Sequence, residues 1–358
     1  MSEKIKLGEL GEVVSGSTPK TNIKDYWDGE ILWITPAEIQ EDDYYIADTQ
    51  RKITNLAVEK TNLKLLPKGT VLLSSRAPIG KVAICDNDMY CNQGFKNIIC
   101  SDRLENRYVY YFLKYNVEYI KSLGRGATFK EISKGIVENL EIPYIEKKEQ
   151  IEIANKLDKI TEILKIKKQQ IKQFDEIIKS QFVEMFENKN YEKLSGKELF
   201  SFSSGKFLEA SKRLENGVPV YGGNGVAWYT DEPLIDFNTI VIGRVGAYCG
   251  NVKLIKEPVW ITDNAIFIKQ FKKDVYNIDF LYYMMELVDF SRFAQFSGQP
   301  KITQKPLEEF NYVVPPIEEQ IKFSNIVKQI DKQKFESVIK AEKEIEKIQK
   351  NIYYKWGR

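Results

Sequence analysis

The sequence predicts an α/β (α+β) chain of two similar domains, each followed by a long helix, with the two helices pairing as an antiparallel coiled coil under pseudo-two-fold symmetry. Three observations predict it. A proline-led phrase is written twice, IPYIEKKEQ at 142–150 and VPPIEEQ at 314–320. The two halves of the chain match at a nearly constant offset. A long stretch free of Pro and Gly follows each copy of the phrase.

Size and composition agree with two cores. A chain of 358 residues suits two domains of roughly 100 to 200 residues each. A hydrophobic content of 43% with 20 Tyr and 19 Phe is enough to fill both. The start, MSEKIKLGELGEVV, has no apolar run behind its lysines, and no stretch approaches the roughly 18 apolar residues of a membrane span. The chain is therefore expected to be cytoplasmic and without a membrane partner.

The repeat gives the order of the elements. Placing Glu149-Gln150-Ile151 on Glu319-Gln320-Ile321 gives an offset of 170 (319 minus 149), which puts Ser133 on Thr303 and Leu140 on Phe310. The turn at Arg76 and the turn at Arg244 are 168 apart (244 minus 76). Near the starts of the halves, Glu9-Leu10 matches Glu198-Leu199 at 189 (198 minus 9), so the first half carries extra loops between about Thr18 and Arg76. Short strands are expected at Val71-Leu72-Leu73, Thr239 to Ile242 and Ala265 to Ile268, and helices at Tyr108 to Tyr119 and Phe280 to Phe293. The expected domains are 1–145 and 191–317, with helices over 146–190 and 318–358.

The helices are read from their stripes. Leu157, Leu164, Ile171, Ile178 and Met185 recur every seventh residue, and Phe323, Val327, Ile330, Val338, Ala341, Ile345, Ile348 and Ile352 follow mostly at steps of three and four. Lys and Glu fill the other positions, which is the pattern of a coiled-coil seam. Leu157, Leu164, Ile171, Ile178, Ile330, Ile345, Ile348 and Ile352 are the expected helix-pairing and partner-docking residues. The repeated phrase marks each helix start: Pro is tolerated in a first turn, and Glu there complements the helix dipole.

Chemistry of its own is not expected. The chain has no histidine, and Cys85, Cys91, Cys100 and Cys249 lack C-x-x-C spacing, so neither a zinc site nor a His-based triad is expected. Asp42-Asp43 reads as loop rather than metal site. Gly196-Lys197 and Gly205-Lys206 lack the Gly and Ser/Thr of a phosphate loop. Val314-Pro315-Pro316-Ile317 shares only its prolines with the N-P-P-Y motif of amino-methyltransferases. No catalytic residue, metal or cofactor is assigned.

Glycine-flanked basic and amide residues remain, at corresponding places in both halves. The first has Ser74 to Lys81, Asn92-Gln93-Gly94 and Gly124 to Lys130; the second has Gly243-Arg244-Val245-Gly246, Asp263-Asn264 and Ser297 to Lys301, with Tyr221-Gly222-Gly223-Asn224-Gly225 besides. Arg reads guanine edges, Asn and Gln read adenine, and Gly admits a close approach. The DNA-contact candidates are Arg76, Lys81, Asn92, Gln93, Arg125, Thr128, Lys130, Tyr221, Asn224, Arg244, Asn264, Gln299 and Lys301, with Lys81, Lys130 and Lys301 as phosphate grips. The net charge of +2, from 53 basic and 51 acidic residues, is weak for a polyanion binder, so a partner should add positive charge.

The order and duplication of these features resemble the specificity subunit of Type I restriction-modification systems over nearly the whole chain. The stretches that carry the resemblance are Gly16-Ser17-Thr18-Pro19, Trp33-Ile34-Thr35, Ser75 to Gly80, Val218-Pro219-Val220-Tyr221-Gly222 and both helix starts. The resemblance implies two target-recognition domains, each reading half of an interrupted sequence in double-stranded DNA, and spacer helices that set the gap. It further implies docking of two S-adenosylmethionine-using methyltransferase subunits, with motor-nuclease subunits joining the complex, and no catalysis by this chain. Because the loops of the halves differ, the half-sites are expected to differ. Two other readings stay open: a protein-binding coiled-coil scaffold without DNA specificity, and a DNA nuclease or methyltransferase with an unrecognised site.

Overall fold

The computed structural model describes residues 3–126, 130–295 and 298–356, with the side chains of 349–356 excepted. It divides into two compact units, residues 1–166 with 340–358, and residues 167–339. Each unit thus holds one globular part and a stretch of both long helices.

The first unit runs β1 (Lys4–Lys6), α1 (Leu7–Leu10), β2 (Gly11–Ser15), β3 (Trp27–Ile34), β4 (Tyr45–Ile46), β5 (Arg51–Ile53), α2 (Asn55–Lys60), β6 (Val71–Leu73), β7 (Val82–Cys85), β8 (Tyr90–Cys91), β9 (Lys96–Cys100), α3 (Asn106–Tyr115), α4 (Val117–Ser122), α5 (Lys134–Glu138), β10 (Glu141–Pro143) and the long α6 (Lys147–Phe182). Its main sheet has the order β2-β9-β6-β7-β4, beside a small sheet β5-β3-β8 and a ribbon β1-β10. Because successive strand residues face opposite ways, both faces of the main sheet are buried. Val13, Val71, Leu73, Val82 and Ile84 point to a core shared with α3, while Val14, Leu72, Ala83 and Cys85 point to a second core with Ile34, Met89 and Phe95.

The second unit repeats the plan. It runs β11 (Glu192–Ser195), α7 (Gly196–Leu199), β12 (Phe200–Ser204), β13 (Val218–Gly222), β14 (Gly225–Thr230), β15 (Thr239–Gly243), β16 (Val252–Ile255), β17 (Trp260–Ile261), β18 (Ala265–Phe271), α8 (Ile278–Leu287), α9 (Gln304–Glu309), β19 (Asn311–Val314) and α10 (Ile317–Trp356). The sheets are β12-β18-β15-β16, β14-β13-β17 and β11-β19. In both units the small sheet joins one antiparallel and one parallel pair. The extra length of the first half forms β4 and α2, which have no counterpart between β13 and β15. The two long segments expected as helices are each broken, into α3 and α4 and into α8 followed by a single 3-10 turn at Phe290–Phe293.

The two helix starts share one fastening. Gln150 is wholly buried. Its Nε2 donates to Arg103 O (3.0 Å) and Ile145 O (2.8 Å), and its Oε1 accepts from Glu105 N (2.9 Å). Gln320, also wholly buried, donates to Val275 O and Pro315 O (both 2.8 Å) and accepts from Asn277 N (2.9 Å). One side chain therefore satisfies backbone groups at the foot of its own helix and at the start of α3 or α8. The prolines differ from expectation. Pro316 directly precedes α10, but Pro143 sits in the ribbon strand β10 opposite Lys4, where a missing N–H costs nothing on an outer edge.

Candidate nucleic-acid interface

In the first unit the loops after β2, β6 and β8 converge with the segment leading into α5. Ser75 N donates to Gly94 O (2.8 Å) and Ile132 N to Ser75 O (3.0 Å), while Arg125 and Glu131 exchange backbone bonds of 3.0 and 2.9 Å. These bonds bring Arg76, Asn92, Gln93, Arg125 and Lys130 to one rim. Asn92 Oδ1 accepts from Gly94 N (2.9 Å) and shapes the amide turn. Gln93 is exposed and accepts a hydrogen bond from the Thr18 hydroxyl. That contact depends on Gly16, where an added Cβ would lie 2.0 Å from Asn92 O.

Two charged residues that sequence reading missed complete this rim. Glu131 accepts from Arg76 Nε (3.0 Å) through one oxygen and from Lys96 Nζ (3.2 Å) through the other. Burial alone would raise the Glu131 carboxyl, but the bonds and charges of Arg76 and Lys96 outweigh it and hold the pKa below the usual value. Lys96 is buried and also reaches Ser75 Oγ (3.4 Å). Lys81, expected as a phosphate grip, instead directs its ammonium to Pro36 O (3.0 Å) and Ile39 O (2.6 Å), because its half-buried stem points back under the 36–39 turn. Thr128 lies outside the described residues, as do Ala127, Phe129 and Ser297 of the same motifs.

The second unit builds its rim with the same bonds. Arg244 N donates to Asn264 O (2.9 Å), Ile302 N to Arg244 O (2.9 Å), and Gln295 and Lys301 exchange bonds of 2.9 and 3.2 Å. Gly246 N donates to Pro300 O (2.9 Å), and a Cβ on Gly246 would stand 3.1 Å from Gln299 Nε2. The Tyr221–Gly225 turn joins this group, since a Cβ on Gly223 would contact Asn264 O at 3.4 Å. Asn224, Asn264, Gln299 and Lys301 are exposed. Tyr221 is half-buried against Val241 and its neighbours, and burial pushes its phenol pKa up. Arg244 Nη1 reaches Ser204 Oγ and Asp263 O (both 3.3 Å), while its Nε is buried and has no hydrogen-bond partner among the described residues.

Hydrogen bonding corrects the residue-level match between the halves. Arg244 occupies the place of Ser75, so Arg76 corresponds to Val245, Arg125 to Gln295 and Glu131 to Lys301. The turns match, but the two arginines stand one residue out of step. Arg51 and Arg213, also missed, stack on the faces of Trp27 (3.9 Å) and Trp228 (4.0 Å). Neither arginine is near its tryptophan in sequence; the pairing of β3 with β5 brings Arg51 to Trp27, and the isolated bridge between Leu214 and Tyr229 brings Arg213 to Trp228.

The helix residues divide into two sets. Leu157, Ile345 and Ile348 pack on the core of the first unit, where Lys159 pairs with Glu344 (3.3 Å). Ile178 and Ile330 lie in the core of the second, where Lys167 Nζ donates to Ser337 Oγ (2.8 Å) and Lys334 pairs with Asp175. In the second unit the partner number falls from Ser337 to Lys334 as that of α6 rises from Lys167 to Asp175, so the helices run antiparallel there. The unbroken buried stripe expected on α6 is not present: Leu164 and Ile171 are 55% and 38% exposed. A seven-residue repeat drifts by roughly 20° per heptad on a straight helix, and the contacts beside these two residues are polar, through Lys167, Gln170 and Ser337. The side chain of Ile352 lies outside the described residues.

A family model for the Type I restriction modification DNA specificity domain matches residues 2–174 and again 188–347. The specificity subunit of the Type I restriction enzyme MjaIX from Methanocaldococcus jannaschii is 43% identical over 186 residues, which is 51% of this chain and 42% of that protein. The chain thus matches less than half the length of that relative. The EcoprrI specificity subunit of Escherichia coli is 26% identical over 357 residues, 92% of this chain and 87% of the relative. Among solved structures, the Type I restriction-modification S subunit from M. genitalium superposes with a TM-score of 0.62 at 20% identity, over 100% of this chain and 96% of that one.

Proposed function

The chain belongs to the Type I restriction-modification DNA specificity family, and from that premise we propose that it is the DNA-recognition subunit of such a complex, with no catalytic site of its own. Each unit reads one half of an interrupted double-stranded target. One observation carries the reading: the same sheet scaffold occurs twice, and each copy gathers Arg, Asn, Gln and Lys side chains at the same rim while differing in which residue stands where.

In the first unit Arg76, Asn92, Gln93, Arg125 and Lys130 are assigned to DNA; in the second, Asn224, Arg244, Asn264, Gln299 and Lys301, with Tyr221 supporting the turn. Since the rims differ, the half-sites differ. The long helices set the gap and dock methyltransferase subunits through faces that include Leu164 and Ile171, and restriction subunits join through the complex. No helix among the described residues is long and apolar enough to cross a membrane, which agrees with action on cytoplasmic DNA.

The test is DNA binding by the chain assembled with its methyltransferase subunits. Affinity for an interrupted site should fall steeply with added salt, since bound phosphates release counterions. A complex with no affinity for any DNA at low salt would favour a protein scaffold instead.

A further inference from the structure

We propose that Glu131 is the positioning residue of the first recognition rim: it fixes Arg76 so that the two terminal amino groups of the guanidinium are presented to DNA as a fork. This rests on the DNA-recognition reading above. Arg76 gives its Nε to Glu131 Oε2 at 3.0 Å. No intramolecular hydrogen bond occupies either Nη among the described residues, and the side chain is 48% exposed. A guanidinium held by Nε from behind keeps its Nη1/Nη2 edge outward, and that planar pair of donors matches O6 and N7 of guanine.

The backbone fixes Glu131 before any DNA arrives. Glu131 N donates to Arg125 O and Glu131 O accepts from Arg125 N, and the next residue, Ile132, donates to Ser75 O, one residue from Arg76. The carboxylate thus lies on a segment tied to both arginines. Lys96 supplies what a simple ion pair lacks. Arg76 and Glu131 alone would be neutral, and a neutral pair has little attraction for a phosphate-rich ligand. Lys96, buried behind the carboxylate at 3.2 Å, restores one net positive charge to the group. Its ammonium lies inside the rim, so its charge is felt at the surface while its hydrogen bonds go to Glu131 and Ser75.

The second unit shows that the arrangement belongs to one rim only. Lys301 stands at the position of Glu131, Val245 at that of Arg76, and Arg244 is held by the neutral acceptors Ser204 Oγ and Asp263 O. Loss of Glu131 should therefore disturb reading of one half-site and leave the other alone.

The experiment uses the full chain assembled with its methyltransferase subunits, and a panel of duplexes carrying every single-base change in both half-sites. Glu131→Gln frees Arg76 to sample other rotamers. Discrimination at one position of one half-site should fall by about 5- to 100-fold, the range expected for losing one bidentate base contact. Discrimination throughout the other half-site should not change. Arg76→Lys keeps the charge and the ion pair but lacks the fork, and should relax the same position. Thermal melting of each variant separates misfolding from misreading. If Glu131→Gln weakens both half-sites equally, or folds and binds with its base preferences intact, the proposal is overturned. If the wild-type complex shows no sequence preference, the DNA-recognition reading itself fails.

Discussion

At the scale of single residues, Gln150 and Gln320 are the places where a small change should cost most. Each is wholly buried and makes three hydrogen bonds to backbone groups, at the foot of its own helix and beside the neighbouring element. Truncation strands those groups without water, at roughly 1–3 kcal/mol per unsatisfied group. Gln320→Ala should thus lower the stability of the second unit by about 2 kcal/mol or more in chemical denaturation, whereas Gln320→Glu keeps the acceptor and loses the donor. The sequence showed this glutamine twice, as the last residue of each copy of the proline-led phrase. It did not show what the side chain holds on the neighbouring element, because Arg103 O and Val275 O lie 47 and 45 residues away. Glu131 and Lys96 escaped sequence reading for the same reason: their partners are 55 and 35 residues distant. Arg76 and Arg244 were visible as turn residues, and only the hydrogen-bond ladder shows that they are one position out of step.

At the scale of elements, the seat of each domain on its long helix is built with opposite charges in the two units. In the first, Arg107 on α3 donates to Asp158 on α6 (2.8 Å). In the second, at the matching places, Asp279 on α8 accepts from Lys328 on α10 (2.5 Å) and also from Lys256 after β16 (2.6 Å). Burial alone would raise the Asp279 carboxyl, but the two lysines outweigh it and hold its pKa below the ordinary 3.8. A depressed folded-state pKa means that this stability is present above the ordinary value and lost as pH falls below it. Wild-type protein should therefore lose stability on acidification below about pH 4 more steeply than Asp279→Asn. Lys328→Asp places like charges together and should cost about 1–2 kcal/mol, a figure reduced because the lysine is half-exposed. Adding Asp279→Arg and Lys256→Asp, which gives the second seat the polarity of the first, should recover most of that loss. The helices themselves were legible from periodicity; this inversion was not, since a charged residue on a solvated face and one on a seat look alike in sequence.

For the whole molecule, duplication was the most legible feature, because two copies of one pattern at a near-constant offset need no knowledge of the fold. The sheet order, the second core behind each main sheet and the exposure of Leu164 and Ile171 needed the structure, since they depend on which strands pair and where the helix stripe drifts. Leu164→Lys with Ile171→Lys should leave the melting temperature of the chain nearly unchanged while reducing copurification of the methyltransferase subunit. If the two units read two different halves of one site, each half of the methylated motif must answer to its own unit. N6-methyladenine is to be mapped across the genome in cells carrying the wild-type chain, no chain, or the Arg76→Ala chain. An interrupted, non-palindromic motif should disappear without the chain, and Arg76→Ala should relax one half of that motif while the other half is unchanged. A methylation pattern indifferent to the chain, or a motif whose two halves relax together, would contradict a site divided between the two units.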